Sequence, residues 1–448
     1  MPEWLLTSHL ILVVSFVAGL LTLFHLLRQR RSPQSALAWI GFAIVMPYVA
    51  VPLFLLLGWR KLERPPVIQS PVAGAPMEAL LSSFGAPARR PGNRFELCTT
   101  GEQARGALIE LIEGATKSIQ VEIFILHLDV VGRDLLRRLK RKAAEGVSVQ
   151  ILLDGLGSFM TRPLALRPLR RSGVEVKFFH PLLAPRWWLR TNLRNHRKLV
   201  IADGRIVLSG GINLADEYLG VGKRNRQWTD LAFRAEGPIV ADYQNLFAED
   251  WSYAGRESRA VAFVPSSAPG DAELQLVPSG PDVAGDSLHS ALLQAIYRAR
   301  RRVWVATPYF LPSSEIVKAL AVAARSGIDV TIVVPRTSDH RLADWARGPY
   351  LRELKGHGCK VEFFQAGMLH AKAVLIDDGL AMLGSANLDL RSLYLNFEVM
   401  LLIHDEKHVR IAEAWMRSLS PWTTELEPSV GRIRETFEGA VRLLSPLL

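Results

Sequence analysis

The chain has 448 residues, 49% of them hydrophobic, and a formal charge of +11. That length exceeds one ordinary core and predicts two domains with additions, while only two cysteines, Cys98 and Cys359, exclude a disulfide framework and a cysteine-rich zinc site. A basic balance suits an anionic partner, either lipid headgroups or nucleic acid.

The mean hydropathy is positive, and the N-terminus accounts for it. Trp4–Leu27 and Ala36–Gly58 contain no Asp, Glu, Lys or Arg, and each can cross ~30 Å of hydrocarbon at ~1.5 Å per residue. A cleaved signal would start basic and carry a shorter apolar run; this chain starts Met-Pro-Glu and meets a second run at once. Residues 1–60 are therefore expected to form a two-helix transmembrane hairpin. Arg28, Arg30 and Arg31 on one side balance Arg60, Lys61 and Arg64 on the other, which leaves both orientations open. Residues 61–92, rich in Pro and Ala, read as a linker.

From residue 93 onward one order of elements occurs twice. GALIELIEGATKS (106–118) and DSLHSALLQAIYRARR (286–301) have apolar residues at helical spacing. Strands follow at 119–126 and 302–311, helices at 132–146 and 313–327, strands at 147–154 and 328–335, then strands at 172–180 and 357–365. QWTDLAFR (227–234) answers LNFEVMLL (395–402), and helices close both copies. Strands alternating with crossover helices predict an α/β sheet in each copy, and a repeat this long is a duplicated domain rather than a solenoid. The boundaries expected are 93–262 and 263–425. A tail, 426–448, has Ile433, Phe437, Val441 and Leu444 at helical spacing; it either lies on a membrane or packs on the domain.

Between these elements, HRKLVIAD (196–203) is matched by HAKAVLID (370–377), followed at equal distance by GGIN (210–213) and GSAN (384–387). Strand alternation turns His196 with Lys198, and His370 with Lys372, to one side, and the turns bring back Asn213 and Asn387. Two such half-sites surround one phosphodiester with two lysines and two amides as phosphate-binding groups. One imidazole attacks phosphorus and the other protonates the leaving alcohol. The lysines supply the charge stabilisation, so no metal or other cofactor is needed. Asp230 and Glu398 are the candidates for orienting the imidazoles. Alternation places Asp203 and Asp377 on the opposite face, as structural partners.

These paired motifs resemble those of the phospholipase D superfamily. NHRKLVIADGRIVLSGGINLADEYLG, TPYFLPSSEI and HAKAVLIDDGLAMLGSANLDLRSLYLNFEV are similar to bacterial cardiolipin synthases within it, as are the paired N-terminal helices with SALAWI opening the second. The resemblance implies two pseudo-symmetric phospholipase D-like α/β sandwich domains sharing one active site. It also implies a catalytic set of His196, Lys198, Asp203, His370, Lys372 and Asp377, with His196 as nucleophile and His370 as general acid. The implied reaction moves a phosphatidyl group between two phosphatidylglycerols and releases glycerol, in a multi-pass protein of a bacterial inner membrane. Hydrolysis of phospholipids, or of nucleic acid, remains open on the same scaffold; the apolar runs and the absence of any nucleic-acid-binding module argue against the latter.

One stretch has no counterpart in the second copy: PLLAPRWWLRT (181–191), just before His196. It sets Trp187 and Trp188 between Arg186 and Arg190, a pattern suited to the headgroup level of a bilayer and to lipid entry. Packing of both tryptophans between the two copies is the alternative.

Overall fold

A computed structural model describes residues 19, 24, 33–57, 76–161, 165–181, 192–222, 227–255, 268–283, 285–426, 430–443 and 445. The strands of the first copy are β1 (Arg90–Cys98), β2 (Ser118–Ile123), β3 (Ser148–Asp154), β4 (Glu175–Phe179), β5 (Leu199–Ala202), β6 (Ile206–Gly210) and β7 (Ala232–Glu236). Those of the second are β8 (Ala272–Ser279), β9 (Arg302–Ala306), β10 (Phe310–Leu311), β11 (Asp329–Pro335), β12 (Lys360–Phe364), β13 (Ala373–Ile376), β14 (Leu380–Gly384), β15 (Leu388–Asp389), β16 (Glu398–Ile403) and β17 (Thr423–Glu425).

All but β10 and β15 join one sheet of 15 strands, ordered β17-β12-β11-β9-β13-β14-β16-β8-β1-β7-β6-β5-β2-β3-β4. Read outward from the centre, the orders 1-7-6-5-2-3-4 and 8-16-14-13-9-11-12 are the same path walked twice. The copies are sewn together where β1 runs antiparallel to β8, with Arg90 opposite Leu274 and Asn93 opposite Ala272. Neither β1 nor β8 was predicted. Their alternation of charged and apolar residues (RPGNRFELC, AELQLVPS) is short and interrupted by Pro or Gly, which weakens a strand signal.

Helices cover both faces of the sheet, so the motif strands are buried on both sides and read as unbroken apolar runs. Leu199 and Ile201 of β5 pack under the helix Ile239–Gly255, in a core shared by both copies to which the helix Glu406–Ser418 also contributes. Val200 and Ala202 face the first copy's helices Gly101–Gly114 and Val130–Ala144. In β13, Ala373 and Leu375 enter the shared core, while Val374 and Ile376 face the second copy's own core. Cys98 and Cys359 are both free and buried.

Two expectations are revised. The stretch expected to be linker holds a helix, Pro76–Ser83, whose Met77 and Leu81 sit one turn apart and are buried in the second copy's core. Ala36–Gly58 is not one helix but two, Pro33–Val45 and Pro47–Leu57. The break falls at Met46 because the residue before a proline is pushed out of the α region, and Trp39 packs edge-on against Phe54 with ring centroids 5.2 Å apart. Among the described residues no helix is long and apolar enough to cross a membrane. Nearly all of Trp4–Leu27, and Arg186, Trp187, Trp188 and Arg190, lie outside the described residues.

Candidate active site

The two motifs meet on the axis that relates the copies. His196 and Lys198 precede β5, and His370 and Lys372 precede β13; these are extended approaches to strands rather than strand residues, another departure from expectation. Each approach is bonded to the other copy. The His196 amide donates to the Phe397 carbonyl at 2.8 Å, and the His370 amide donates to the Thr229 carbonyl at 2.7 Å. In the return direction the Phe397 amide donates to Arg194, and the Thr229 amide to Met368. Since Phe397 and Thr229 directly precede Glu398 and Asp230, the backbone carries each acid to the opposite histidine.

Both acids therefore act across the duplication. Nδ1 of His196 lies 3.0 Å from both carboxylate oxygens of Glu398, and Nδ1 of His370 lies 2.6 Å from Asp230 Oδ2. An ionised carboxylate only accepts, so each Nδ1 carries the proton and each Nε2 is left with its lone pair. Burial raises the Glu398 carboxyl, but His196, Lys198 and the Ser385 hydroxyl outweigh it and hold it below its ordinary value. Burial likewise opposes ionisation of Asp230 and is outweighed by Lys372 and His370.

The same burial acts on the cations in the opposite sense. It lowers His196, with Lys198 adding to the effect against Glu398. It lowers His370 to about 4, with Lys372 adding. Lys198 falls to about 7 and Lys372 to about 8, in both cases chiefly by burial. Both imidazoles are thus neutral near pH 7, while two desolvated lysines, Lys372 mostly and Lys198 partly protonated there, share one small space. An arriving phosphodiester anion relieves that repulsion.

Local packing holds the rings. Phe124 meets His196 edge-on at 4.8 Å, and Tyr218 and Trp228 flank His370 at 5.2 and 5.1 Å. Lys198 Nζ donates to the His196 carbonyl at 2.7 Å. Lys372 Nζ lies against the His370 ring, 2.7 Å from Nδ1 and 3.0 Å from Nε2, and donates to the His370 carbonyl. Asn213 is buried and accepts from the Ile125 amide at 3.2 Å; Asn387 is buried with its Oδ1 unpaired. Asp203 and Asp377 lie away from this cluster, at left-handed turns with φ of 53° and 50°. Asp203 accepts from the amides of Thr116, Lys117 and Ser118, and Asp377 from those of Arg300, Arg301 and Arg302. They anchor the far end of each motif strand.

Several contributors were not foreseen. Ser385 donates to Glu398 Oε2 at 2.5 Å. Its first-copy counterpart is Gly211, where any Cβ would lie 2.2 Å from Asp230 Oδ1; the difference between GGIN and GSAN was the visible signal. Arg197, fully buried, donates to both Asp250 oxygens (2.7 and 2.6 Å), to Asp282 (3.0 Å) and to the Glu398 carbonyl (3.2 Å). It ties the first copy to the second directly beneath the acid that orients His196. The second motif has Ala371 at this position.

A family model described as "Cardiolipin synthase, PLD-like domain" matches residues 108–251 and 292–420, one match in each copy. The chain is 33% identical to cardiolipin synthase 1 of Bacillus cereus over 99% of this chain and 96% of that protein. It is 34% identical to cardiolipin synthase A of Pseudomonas fluorescens over 98% of each. Among solved structures, phosphatidylserine synthase of Haemophilus influenzae shares the fold with a TM-score of 0.59 at 16% identity, covering 79% of this chain and 95% of that one. Polyphosphate kinase of Porphyromonas gingivalis has a TM-score of 0.51 at 13% identity, covering 86% and 57%. With both motif copies inside the matched segments and full-length relatives of one kind, the chain belongs to the phospholipase D-like cardiolipin synthase family.

Proposed function

We propose that this protein transfers a phosphatidyl group from one phosphatidylglycerol to another, giving cardiolipin and glycerol through a phosphohistidine. The observation that carries this reading is the crossed pairing of His196 with Glu398 and His370 with Asp230. It supplies two oriented, neutral imidazoles beside two lysines. Nε2 of His196 attacks phosphorus, the bond from phosphorus to the glycerol oxygen breaks, and His370 delivers a proton to that oxygen. His370 gains its proton as the anion binds, because negative charge beside it opposes the effects of burial and Lys372. The second alcohol then gives its proton to His370 and its oxygen attacks phosphorus. The P–N bond breaks and His196 is restored. Lys198, Lys372, Asn213 and Asn387 hold the non-bridging oxygens.

The N-terminal segments serve as the membrane attachment in this reading, with 4–27 and 36–58 as a hairpin in a bacterial inner membrane. Leu37, Ile44, Val45, Met46, Tyr48 and Val49 are all exposed on the paired helices. So many large apolar side chains exposed within one short stretch call for an apolar cover, and acyl chains supply it in this reading. The loop holding Arg186, Trp187, Trp188 and Arg190 is assigned to lipid entry.

The test is direct. Purified protein is incubated with phosphatidylglycerol and the lipids are resolved by mass spectrometry. Cardiolipin with equimolar glycerol is expected; phosphatidic acid alone would make the enzyme a hydrolase and overturn the reading.

A further inference from the structure

The transfer uses two anionic lipids, yet the histidine–lysine cluster accounts for one phosphate. The acceptor brings a phosphodiester of its own, one glycerol away from the hydroxyl that reacts. A second anion site is expected within that reach, and one side chain beside His196 has the required form.

Arg194 is only 2% exposed. One nitrogen, Nη1, donates to the His180 carbonyl at 3.2 Å and lies 3.4 Å from Asp154 Oδ1. Nε and Nη2 are buried with no hydrogen-bond partner. These two nitrogens form one edge of the guanidinium, the parallel pair of N–H groups that matches two oxygens of a phosphate. Leaving such donors unpaired in a desolvated setting is costly, more so for a charged group. Arg194 is thus a fork held in place by its third nitrogen and its backbone, with its best edge unused.

A second guanidinium from the other copy comes close. Arg391 donates to Asn192 Oδ1 at 2.6 Å and to the Asn192 carbonyl at 3.0 Å. Its pKa is lowered, chiefly by burial, with Arg194 contributing and Asp389 and Asp154 opposing. Two arginines in a poorly hydrated space, with Asp154 already engaged by three amides, leave room for further negative charge. The position is adjacent to the chemistry. Arg194 stands two residues, at most roughly 7 Å of chain, before His196, and the field of Asp154 reaches Lys198. The second motif has no equivalent, since Met368 occupies the place of Arg194 and Glu217 that of Arg391.

We propose that the Nε–Nη2 edge of Arg194, assisted by Arg391, binds the phosphodiester of the acceptor lipid and so selects an anionic glycerophosphodiester as acceptor over a neutral alcohol. This rests on the transferase reading above. Both nitrogens are shielded from solvent in the free protein, so the anion enters by displacing what covers them. In exchange it forms a charge-assisted pair at low dielectric. Arg194 takes no part in bond-making, and the balance of the transfer is unchanged.

The test compares two acceptors for the same phosphatidyl-enzyme in the full-length protein. Labelled glycerol exchanges into phosphatidylglycerol by reversal of the first step, whereas glycerophosphoglycerol offers the same hydroxyl with a phosphodiester attached. The wild type is expected to favour glycerophosphoglycerol at least tenfold in kcat/KM, and equal use of the two overturns the proposal without any variant. Arg194→Lys keeps the charge but loses the fork, and it should reduce that preference about tenfold. Arg391→Lys, the second variant, should reduce it less. A loss shared equally by both acceptors, or an unchanged preference, also overturns the proposal. Failure of the transferase reading looks different: a wild type that neither exchanges glycerol nor forms cardiolipin.

Discussion

The two copies share a backbone and differ in what surrounds each histidine. His196 stands in a dense ionic setting: Glu398 is braced by Ser385, and Arg197 below it is clasped by Asp250 and Asp282. His370 has Asp230 alone as its acid, two aromatic rings as walls and Ala371 at the Arg197 position. A duplication gave two equivalent half-sites, and the departures from equivalence give each histidine a different setting. The rigidly clasped imidazole suits a nucleophile that must keep one trajectory. The imidazole with the strongly lowered proton affinity and the closer lysine suits a group whose protonation follows the substrate's charge.

The largest effect separates these roles. His196→Ala and His370→Ala should each reduce turnover by at least ~10³-fold. Only the second should still accumulate a labelled protein when quenched in alkaline detergent, which preserves a P–N bond, after exposure to a phosphatidyl donor with a good leaving group. Label retained by His196→Ala and lost in His370→Ala would reverse the assignment.

Removing the orienting acids comes next. Glu398→Gln and Asp230→Asn should each cost roughly 10²–10⁴-fold in kcat. Because the pairing is crossed, Glu398→Gln should mimic loss of His196, although it lies in the other copy. A Glu398→Gln enzyme that forms the covalent intermediate at the wild-type rate would break the crossed scheme.

Arg197 tests whether the clasp is confined to one copy. Arg197→Met leaves the buried carboxylate of Asp250 and the half-buried one of Asp282 without their partner, a loss of about 3–5 kcal/mol visible as a large fall in Tm. Ala371→Ser, at the matching position, should shift Tm by little. Equal shifts would mean that the two motifs are braced alike.

The pH profile reads both lysines at once. Productive free enzyme has His196 neutral and both lysines charged. Burial lowers His196, so the acid limb of kcat/KM should lie below the ordinary imidazole value of about 6.5. Lys198 at about 7 and Lys372 at about 8 lose their protons as pH rises, so kcat/KM should fall from pH 7 upward, steepening above pH 8, where both lysines titrate, toward a hundredfold per unit. A plateau extending to pH 10 would show that the lysines keep ordinary pKa values.

Much of this was readable beforehand because a repeat is its own control. HxKxxxxD followed by the small turn and Asn marked the chemistry, and the acids at Asp230 and Glu398 were visible as charges in apolar strand runs. The crossing was not visible, since it depends on β1 joining β8 so that each copy's acid strand abuts the other copy's motif. Arg194 and Arg197 were hidden for another reason. A basic residue in a basic stretch reads as solvated surface, and only burial shows that one is clasped and the other half-paired. The helix Pro76–Ser83 was missed because its flanking prolines dominated the composition, although Met77 and Leu81 already had helical spacing.

The smallest expected effect concerns the third motif residue. Asp203 accepts from three amides and, at 3.0 Å, from the Thr116 hydroxyl. Asp377 accepts only from amides, and residue 300 is arginine with no hydroxyl to offer. Both sit in the left-handed region, which asparagine tolerates well, so Asp→Asn tests charge and acceptor capacity without straining the turn. Asp203→Asn should cost about 1–2 kcal/mol, somewhat more than Asp377→Asn, with kcat lowered only a few-fold. For Asp203, burial raises the carboxyl but the amides of Ser118, Thr116 and Lys117 outweigh it, leaving it lowered. A lowered folded value means the stabilisation is present above the unfolded aspartate pKa of about 3.9 and disappears as pH falls through the folded one. The gap in stability between wild type and Asp203→Asn should therefore be full at pH 7 and close below pH 4. If kcat fell as far as in the histidine variants while Tm held, Asp203 would belong to the chemistry instead of the turn.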